Sequence, residues 1–509
     1  LDVSSLATAP EIAGAGFINF RLEDSFIASA ISSLATDPRL GVAPAAKPKK
    51  ILVDFSSPNV AKPMHVGHIR STILGDCLVR VARFLGHEVT ADNHIGDWGT
   101  QFGKVIYGWK HFLDSDALDR DAIAELVRLY REVTRLEETD ENIKRTAREE
   151  LVKLQAGDAE NLAIWKQTVE LSWREFEKLY GLLDIQFDER LGESAYNDAL
   201  APLCAELEKR GIARESDGAL CIFFPEIPTL DGKPAIVRKS DGGFLYATTD
   251  LACVIDRVER IGAQKMWYVV GAPQAQHLQM VEAAAKKAGW LPANVEMQHV
   301  SFGNVLGADK KMLKSRSGES VKLSALLEEA VERASRAVEE KNPALSAAER
   351  ANVARMIGIG AVKYADLSTD RIKDYIFDWD RMLSFDGNTA PYLQYAHARI
   401  CSIFRRADIS RASVRGVTAT LGEPQEKALA LTLLQFDAVV WDSLAKASPH
   451  RMCTYLYELA TVFTGFYENC PVLKSDEPQR TERLALCDAT ARVLHCGLDL
   501  LGIEAPEAM

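Results

Sequence analysis

The chain has 509 residues, of which 47% are hydrophobic and 26% charged, and its formal net charge is −12. That length exceeds what one hydrophobic core serves, so roughly two to four domains are expected. The acidic balance excludes a nonspecific nucleic-acid coat, yet leaves room for a local basic stripe that docks one RNA. Nine cysteines occur without a CxxC pair or regular His/Cys spacing, which reads as reduced thiols and no structural metal. No signal-peptide pattern opens the chain, and no apolar run reaches bilayer length, so no membrane partner is expected.

Residues 1–46 contain Gly16-Phe17-Ile18-Asn19-Phe20-Arg21-Leu22, whose alternation predicts an exposed edge strand, then a helical stretch and the linker VAPAAKPKK. The opening segment reads as the end of a larger unit whose beginning precedes Leu1. Next, Ile51-Leu52-Val53-Asp54-Phe55 predicts a strand that breaks at Ser56-Ser57-Pro58-Asn59. An amphipathic helix follows His65-Val66-Gly67-His68. A helix start with unpaired N–H groups, a partial positive charge and two imidazoles suits a phosphate. Gly67 is expected to leave room for a flat ligand. A histidine-capped helix after a buried strand would explain the same residues without chemistry.

A second strand-like piece, His87 to Asn93, leads into His94-Ile95-Gly96-Asp97-Trp98-Gly99-Thr100-Gln101, with Asp97 and Gln101 as candidate polar liners. Alternating strands and helices imply an α/β fold with a doubly wound, Rossmann-like parallel sheet. Residues 112–182 read as charged amphipathic helices forming a solvated layer, inserted into the sheet domain because strand-like ALCIFF and AIVRKS resume afterwards. Glu193 sits in a turn-like setting, and Tyr246 and Asp250, four apart, share a helix face. A phenol and two carboxylates suit a cation, above all a planar guanidinium, while Tyr246 and Asp250 alone also read as an ordinary surface pair. Trp267 to Val270 is a further strand running to Gln274, with His277 three residues on. Asp309 to Gly318 is a basic loop that suits either the clamping of phosphates or plain exposure to solvent. From about 366 the pattern is an α-helical bundle, with Tyr392, Tyr395, His397 and Arg399 on its first helix. Stacking and phosphate contact with single-stranded RNA, or simple core packing, would both use these residues.

Taken together, VDFSSPNVAKPMHVGH, GDWGTQFG, GESAYN, GGFLYATTD, KMLKSRSG, GIGAVKYADL, DYIFDWD and FDGNTAPYLQYAHAR resemble one family in the right order. That family is the bacterial-type class I arginyl-tRNA synthetases, and the resemblance runs from about residue 10 to 509. It implies three parts. Residues 1–46 would be an α+β remnant of a domain touching the tRNA D-loop, with Phe17 and Asn19 as contacts. Residues 47–365 would be the catalytic domain, with an insertion over about 112–235. Residues 366–509 would be the helical anticodon-binding domain, with Tyr467 and Met509 as contacts.

The resemblance further implies that L-arginine and ATP, with Mg2+ as part of the ATP substrate, give arginyl-adenylate. The arginyl group then passes to the 3′ end of tRNA(Arg), usually with the tRNA bound before the first step. His65, Gly67 and His68 would hold ATP with Lys62, and Lys311 and Lys314 would clamp its phosphates; His65, His68, Lys311 and Lys314 carry the catalysis. Ser57, Asn59, His68, Glu193, Tyr246, Asp250 and Gln274 would hold arginine. Leu313 stands where the lysine-loop signature has serine. A cytoplasmic monomer is implied. The alternatives are a synthetase for another amino acid and a non-catalytic tRNA-binding paralogue; intact His65, His68, Lys311, Lys314, Asp250 and Gln274 argue against the second.

Overall fold

The computed structural model describes residues 2–313 and 321–509, and these divide into two compact units. One comprises Pro48–Val79 and His87–Leu326; the other gathers the residues before Pro48, Arg80–Gly86 and Leu327–Met509.

The first unit is built on strand β1 (Lys50–Asp54) and helix α1 (Val66–Phe84). Ile51, Leu52 and Val53 are all buried, as expected for a parallel strand covered on both faces. Strand β2 (Glu88–Asp92) pairs in parallel with β1, so that Asp54 lies opposite Asp92. Helix α2 (Gln101–Phe112) comes next, followed by the inserted helices α3 (Ala122–Glu137), α4 (Glu141–Gln155) and α5 (Ala159–Leu182). Asp121, Asp140 and Asp158 cap the last three by accepting from backbone N–H groups of the first turn. Phe102, Val105, Ile106, Leu126 and Leu154 form their shared core.

This layer is less solvated than its composition suggests. Lys110 donates to Glu150 and to buried Asn161, each at 2.7 Å. The bonds from Lys110, Lys153 and Asn161 outweigh the cost of burial and hold the Glu150 carboxyl down to about 2. Charge counts alone miss this, because helix spacing does not say which neighbour lies across the gap.

The strands that resume after the insertion do not join the parallel sheet. Ala213–Ser216, Ala219–Ile222 and Ala235–Arg238 form a separate antiparallel sheet. The chain returns through α6 (Tyr246–Glu259), β3 (Lys265–Tyr268), α7 (Ala275–Lys287) and β4 (Glu296–His299). The parallel sheet has the order β2-β1-β3-β4, the doubly wound arrangement expected from sequence.

The second unit is chiefly helical, with α8 (Ala347–Leu367), α9 (Ala390–Ala407), α10 (His450–Asn469) and α11 (Gln479–Leu500) as its long members. Thr389 caps α9 by accepting from the Tyr392 N–H, and Pro391 sits in its first turn, where no N–H is needed. A two-stranded pair, Glu11–Ala13 with Phe17–Asn19, carries the predicted exposed strand. One stretch corrects the hydropathy reading. Pro424–Ala445 is long and apolar enough by composition to cross a membrane. It folds instead as two ten-residue helices, Pro424–Leu433 and Phe436–Ala445, with Leu429, Leu433, Phe436 and Val440 buried. Each is far short of the roughly 20 residues a membrane helix needs.

Gly75 fixes how α1 lies on the end of β1. A Cβ there would stand 2.2 Å from Cγ of fully buried Phe55. Helix propensity favours Gly75→Ala by about 1 kcal/mol, whereas overpacking costs about 1–3 kcal/mol. Gly75→Ala should therefore lower the thermal unfolding midpoint; an increase would show that Phe55 yields freely.

Candidate active site

The carboxyl ends of β1 and β2 carry the site's foundation. Arg257 of α6 is buried and donates to Asp54 Oδ2 and Asp92 Oδ2, both at 2.6 Å. Asp54 also accepts from Ser57 Oγ at 2.9 Å, which ties the ion triad to the turn above it. In that turn Ser56 and Ser57 take φ of 72° and 44°, and Ala61 takes 61°. Left-handed backbone costs a non-glycine residue roughly 1 kcal/mol, so each needs support. Ser71 Oγ accepts from the Ser56 N–H at 2.9 Å and donates to the Val269 carbonyl at 2.5 Å. Asn93 Oδ1 accepts from the Ser57 N–H at 3.2 Å. Tyr180, from the inserted helix α5, meets Ser56 Oγ at 2.8 Å and accepts from Asn93 at 3.0 Å. Asn59 is exposed on this turn, and a Cβ at Gly96 would stand 2.3 Å from its Oδ1.

At the start of α1 the histidines differ from expectation in a useful way. The backbone N–H groups are already engaged. His65 N–H donates to His68 Nδ1 at 3.1 Å, and Gly67 N–H to His65 Nδ1 at 3.0 Å. Val66 and His68 N–H reach the carbonyls of Val321 and His65. The room left by Gly67 is also taken, since a Cβ there would stand 2.8 Å from the His65 ring. His68 Nδ1 lies 3.3 Å from the His65 carbonyl as well, but the shorter contact from the N–H makes this nitrogen the acceptor. Both rings therefore carry their proton on Nε2 when neutral. Burial lowers both, and His68, with His65 beside it, falls to about 4. The pair is neutral at pH 7, with ring centres 4.1 Å apart.

A second cluster supplies carboxylates. Asp97 accepts from the Ser194 N–H at 2.8 Å and from Ser194 Oγ at 2.6 Å. This clamps the short turn Glu193–Tyr196. A Cβ at Gly192 would stand 2.4 Å from the Asp97 carboxyl. Asp97 thus positions Glu193 and does not line a ligand face. Burial pushes Glu193 upward, with Asp250 and Asp97 adding to the rise against His94. Tyr246 opens α6 and Asp250 lies one turn on, as their spacing predicts. Asp250 Oδ2 meets His277 Nε2 at 2.5 Å, and the His277 ring lies edge-on to Tyr246. Gln274 is exposed at the end of a short turn after β3.

Of the lysines expected to hold ATP, the two described make contacts of their own. Lys62 lies over the Tyr130 ring, 5.5 Å from its centre. Lys311 is exposed, its N–H bonded to Asp309 at 3.1 Å. Lys314 falls outside the described residues. In the helical unit, Arg399 stacks 4.5 Å over Tyr467, and Tyr395 is 46% exposed. His397 is buried and donates to the Pro506 carbonyl at 2.9 Å, which makes it a core residue. Gln394, Arg405 and Asn342 likewise hold the carbonyls of Glu504, Glu507 and Met509. Phe17 is 71% exposed and Asn19 exposed on the two-stranded pair.

Sequence reasoning passed over Arg257 and named His277 without a role. Residues 246, 250 and 257 share one helix face, as do 274 and 277, and that spacing was the available signal.

Comparison with known proteins places the chain in a family. The family described as tRNA synthetases class I (R), catalytic domain, matches residues 30–379, and the DALR anticodon binding domain matches residues 393–509. An arginine–tRNA ligase of Thermobifida fusca is 50% identical over all of this chain and 89% of its own length. The chain belongs to the class I arginyl-tRNA synthetases. An arginine–tRNA ligase of Erwinia tasmaniensis is 46% identical with the same coverage. Among solved structures, the arginyl-tRNA synthetase of Plasmodium falciparum superposes with a TM-score of 0.84 at 31% identity, covering 99% of this chain and 86% of that one. That of Thermus thermophilus has a TM-score of 0.84 at 28% identity, covering 99% and 89%. Within this arginyl-tRNA synthetase, α9, α10 and α11 fall in or across the stretch that matches the anticodon-binding family.

The lowered His68 has a stability consequence. Unfolded, it binds a proton near 6.5; folded, only near 4. The unfolded state thus holds more protons between those values, and stability is lost as pH falls through them. At pH 5 the loss is about 2 kcal/mol. His68→Gln should flatten the fall in unfolding midpoint between pH 7 and 5; an unchanged slope would contradict the lowered value.

Proposed function

We propose that the Asp54–Ala61 turn, the His65–His68 pair and the Glu193–Tyr246–Asp250 cluster form the arginyl-adenylate site of this arginine–tRNA ligase. The enzyme activates L-arginine with ATP and transfers the arginyl group to the 3′ end of tRNA(Arg). The observation that carries the site reading is the Asp250 carboxylate one turn from the Tyr246 phenol on α6, close enough to Glu193 to push that carboxyl upward. Two carboxylates gathered beside a phenol suit a cation. A guanidinium, with five donors in one plane, satisfies two carboxylates and a phenol at once, whereas an ammonium cannot.

Arginine lies with its side chain on Glu193, Tyr246 and Asp250, and its amino and carboxylate end on Ser57, Asn59, His68 and Gln274. One carboxylate oxygen attacks the α-phosphorus of ATP, the bond to the bridging oxygen breaks, and diphosphate leaves with its magnesium. Neutral His65 and His68 donate Nε2–H bonds to the α-phosphate oxygens as charge builds there. Being uncharged, they add donors without holding AMP too tightly. Lys62, Lys311 and Lys314 supply the positive charge for the outer phosphates. The terminal ribose hydroxyl of the tRNA then attacks the acyl carbonyl and AMP leaves. No covalent enzyme intermediate is needed, because orientation and charge stabilisation suffice. Tyr467, Met509, Phe17 and Asn19 contact the tRNA, and the enzyme works as a cytoplasmic monomer.

Asp250→Ala tests the pocket. Losing a charge-assisted pair costs about 3 kcal/mol, or roughly a hundredfold. In arginine-dependent pyrophosphate exchange with tRNA(Arg) present, the arginine KM should rise by roughly that factor while the ATP KM stays within about twofold. Equal losses for both substrates would reject the guanidinium assignment.

A further inference from the structure

The structure assigns His277 as a positioning residue that fixes the plane of the Asp250 carboxylate for a guanidinium, and so sets preference for arginine. This rests on the reading that Asp250 binds the arginine side chain. His277 stands in the first turn of α7, on a different element from Asp250 in α6. A carboxylate only accepts, so the 2.5 Å contact is His277 Nε2–H donating to Asp250 Oδ2. The two side chains are 18% and 26% exposed, wet enough to admit a ligand and dry enough for the bond to matter. The same imidazole meets the Tyr246 ring edge-on, 4.7 Å between centres at 70°. One ring thus touches two of the three groups assigned to the guanidinium.

The physical consequence is orientation. An aspartate on the first turns of a helix can swing its carboxylate between rotamers, and its terminal torsion is broad. Here that freedom carries a penalty, because Glu193 lies near enough for the two charges to repel. The bond to His277 occupies Oδ2 and removes the rotation, leaving Oδ1 and the free lone pairs in one fixed plane. A guanidinium is rigid and flat, and gains most from acceptors already in its plane; an ammonium rotates its three donors to suit. Pinning Asp250 therefore favours arginine over an amine. Holding the pocket groups in place before the ligand arrives also lowers the ordering cost of binding.

The test uses full-length enzyme with His277→Leu, His277→Asn and His277→Gln, assayed by pyrophosphate exchange with tRNA(Arg) present. The glutamine amide nitrogen overlies imidazole Nε2 and can donate to Asp250, asparagine is too short, and leucine cannot donate. His277→Leu should raise the arginine KM by about tenfold, with kcat and the ATP KM within about twofold, and His277→Gln should restore most of the loss. Added to Asp250→Ala, His277→Leu should raise the arginine KM no further, because its role runs through that carboxylate. Should His277→Leu fail to fold, His277→Asn carries the same expectation. An unchanged or lower arginine KM, a parallel loss in kcat and ATP binding, or full additivity with Asp250→Ala would overturn the assignment. If Asp250→Ala itself leaves the arginine KM untouched, the pocket reading fails; if only the His277 variants do, that reading stands and this one falls.

Discussion

Arg257, buried between Asp54 and Asp92, is the contact on which the catalytic unit's geometry depends. Register places the two aspartates opposite each other on adjacent parallel strands. Without a cation they would repel in a medium that screens poorly, and the strand ends would part or take up protons. One guanidinium nitrogen lies 2.6 Å from each. Such a group is not evidence of net stabilisation, since taking three charges out of water is costly; removing one member is the expensive step, at about 3–5 kcal/mol. What the triad provides is a defined end to the sheet. Through Asp54 it also holds Ser57, and so the strained turn from which Ser57 and Asn59 project.

The remaining site groups are held in the same manner, by contacts that exhaust local donors and leave one functional atom outward. Asp97 uses both oxygens on Ser194, which fixes Glu193. The histidine rings use Nδ1 on backbone N–H groups, which leaves the proton on Nε2. Glycines at 67, 96 and 192 make these approaches possible, each with a side-chain atom where a Cβ would be. The fold therefore spends glycine where a functional side chain must lie against the backbone.

Much of this was legible in the sequence, and the part that was not has a common cause. The strand at Ile51–Phe55, the helix after Pro63 and the shared face of Tyr246 and Asp250 follow from periodicity and breakers, which are local. The engagement of the His65 and Gly67 N–H groups by the two rings is also local, but it depends on ring torsions that spacing does not specify, and the Val66 N–H goes to distant Val321. Arg257 lies 203 residues from Asp54 and Tyr180 lies 124 from Ser56. No window of sequence contains such pairs. Arginine is so seldom buried that composition alone would set Arg257 on the surface. Similarly, ALCIFF and AIVRKS read correctly as strands, while their pairing into a separate sheet was a tertiary matter.

What unites these observations is a set of carboxylates and a phenol, Glu193, Asp250 and Tyr246, in the same unit as the Ser56–Ala61 turn and the His65–His68 pair, on which the proposed arginyl-adenylate site rests. The measurement that bears on it most directly is pyrophosphate exchange with purified tRNA(Arg), run separately with each standard amino acid. The account predicts exchange with arginine and background rates with the others, lysine included. Exchange with a different amino acid, or with none, would contradict it.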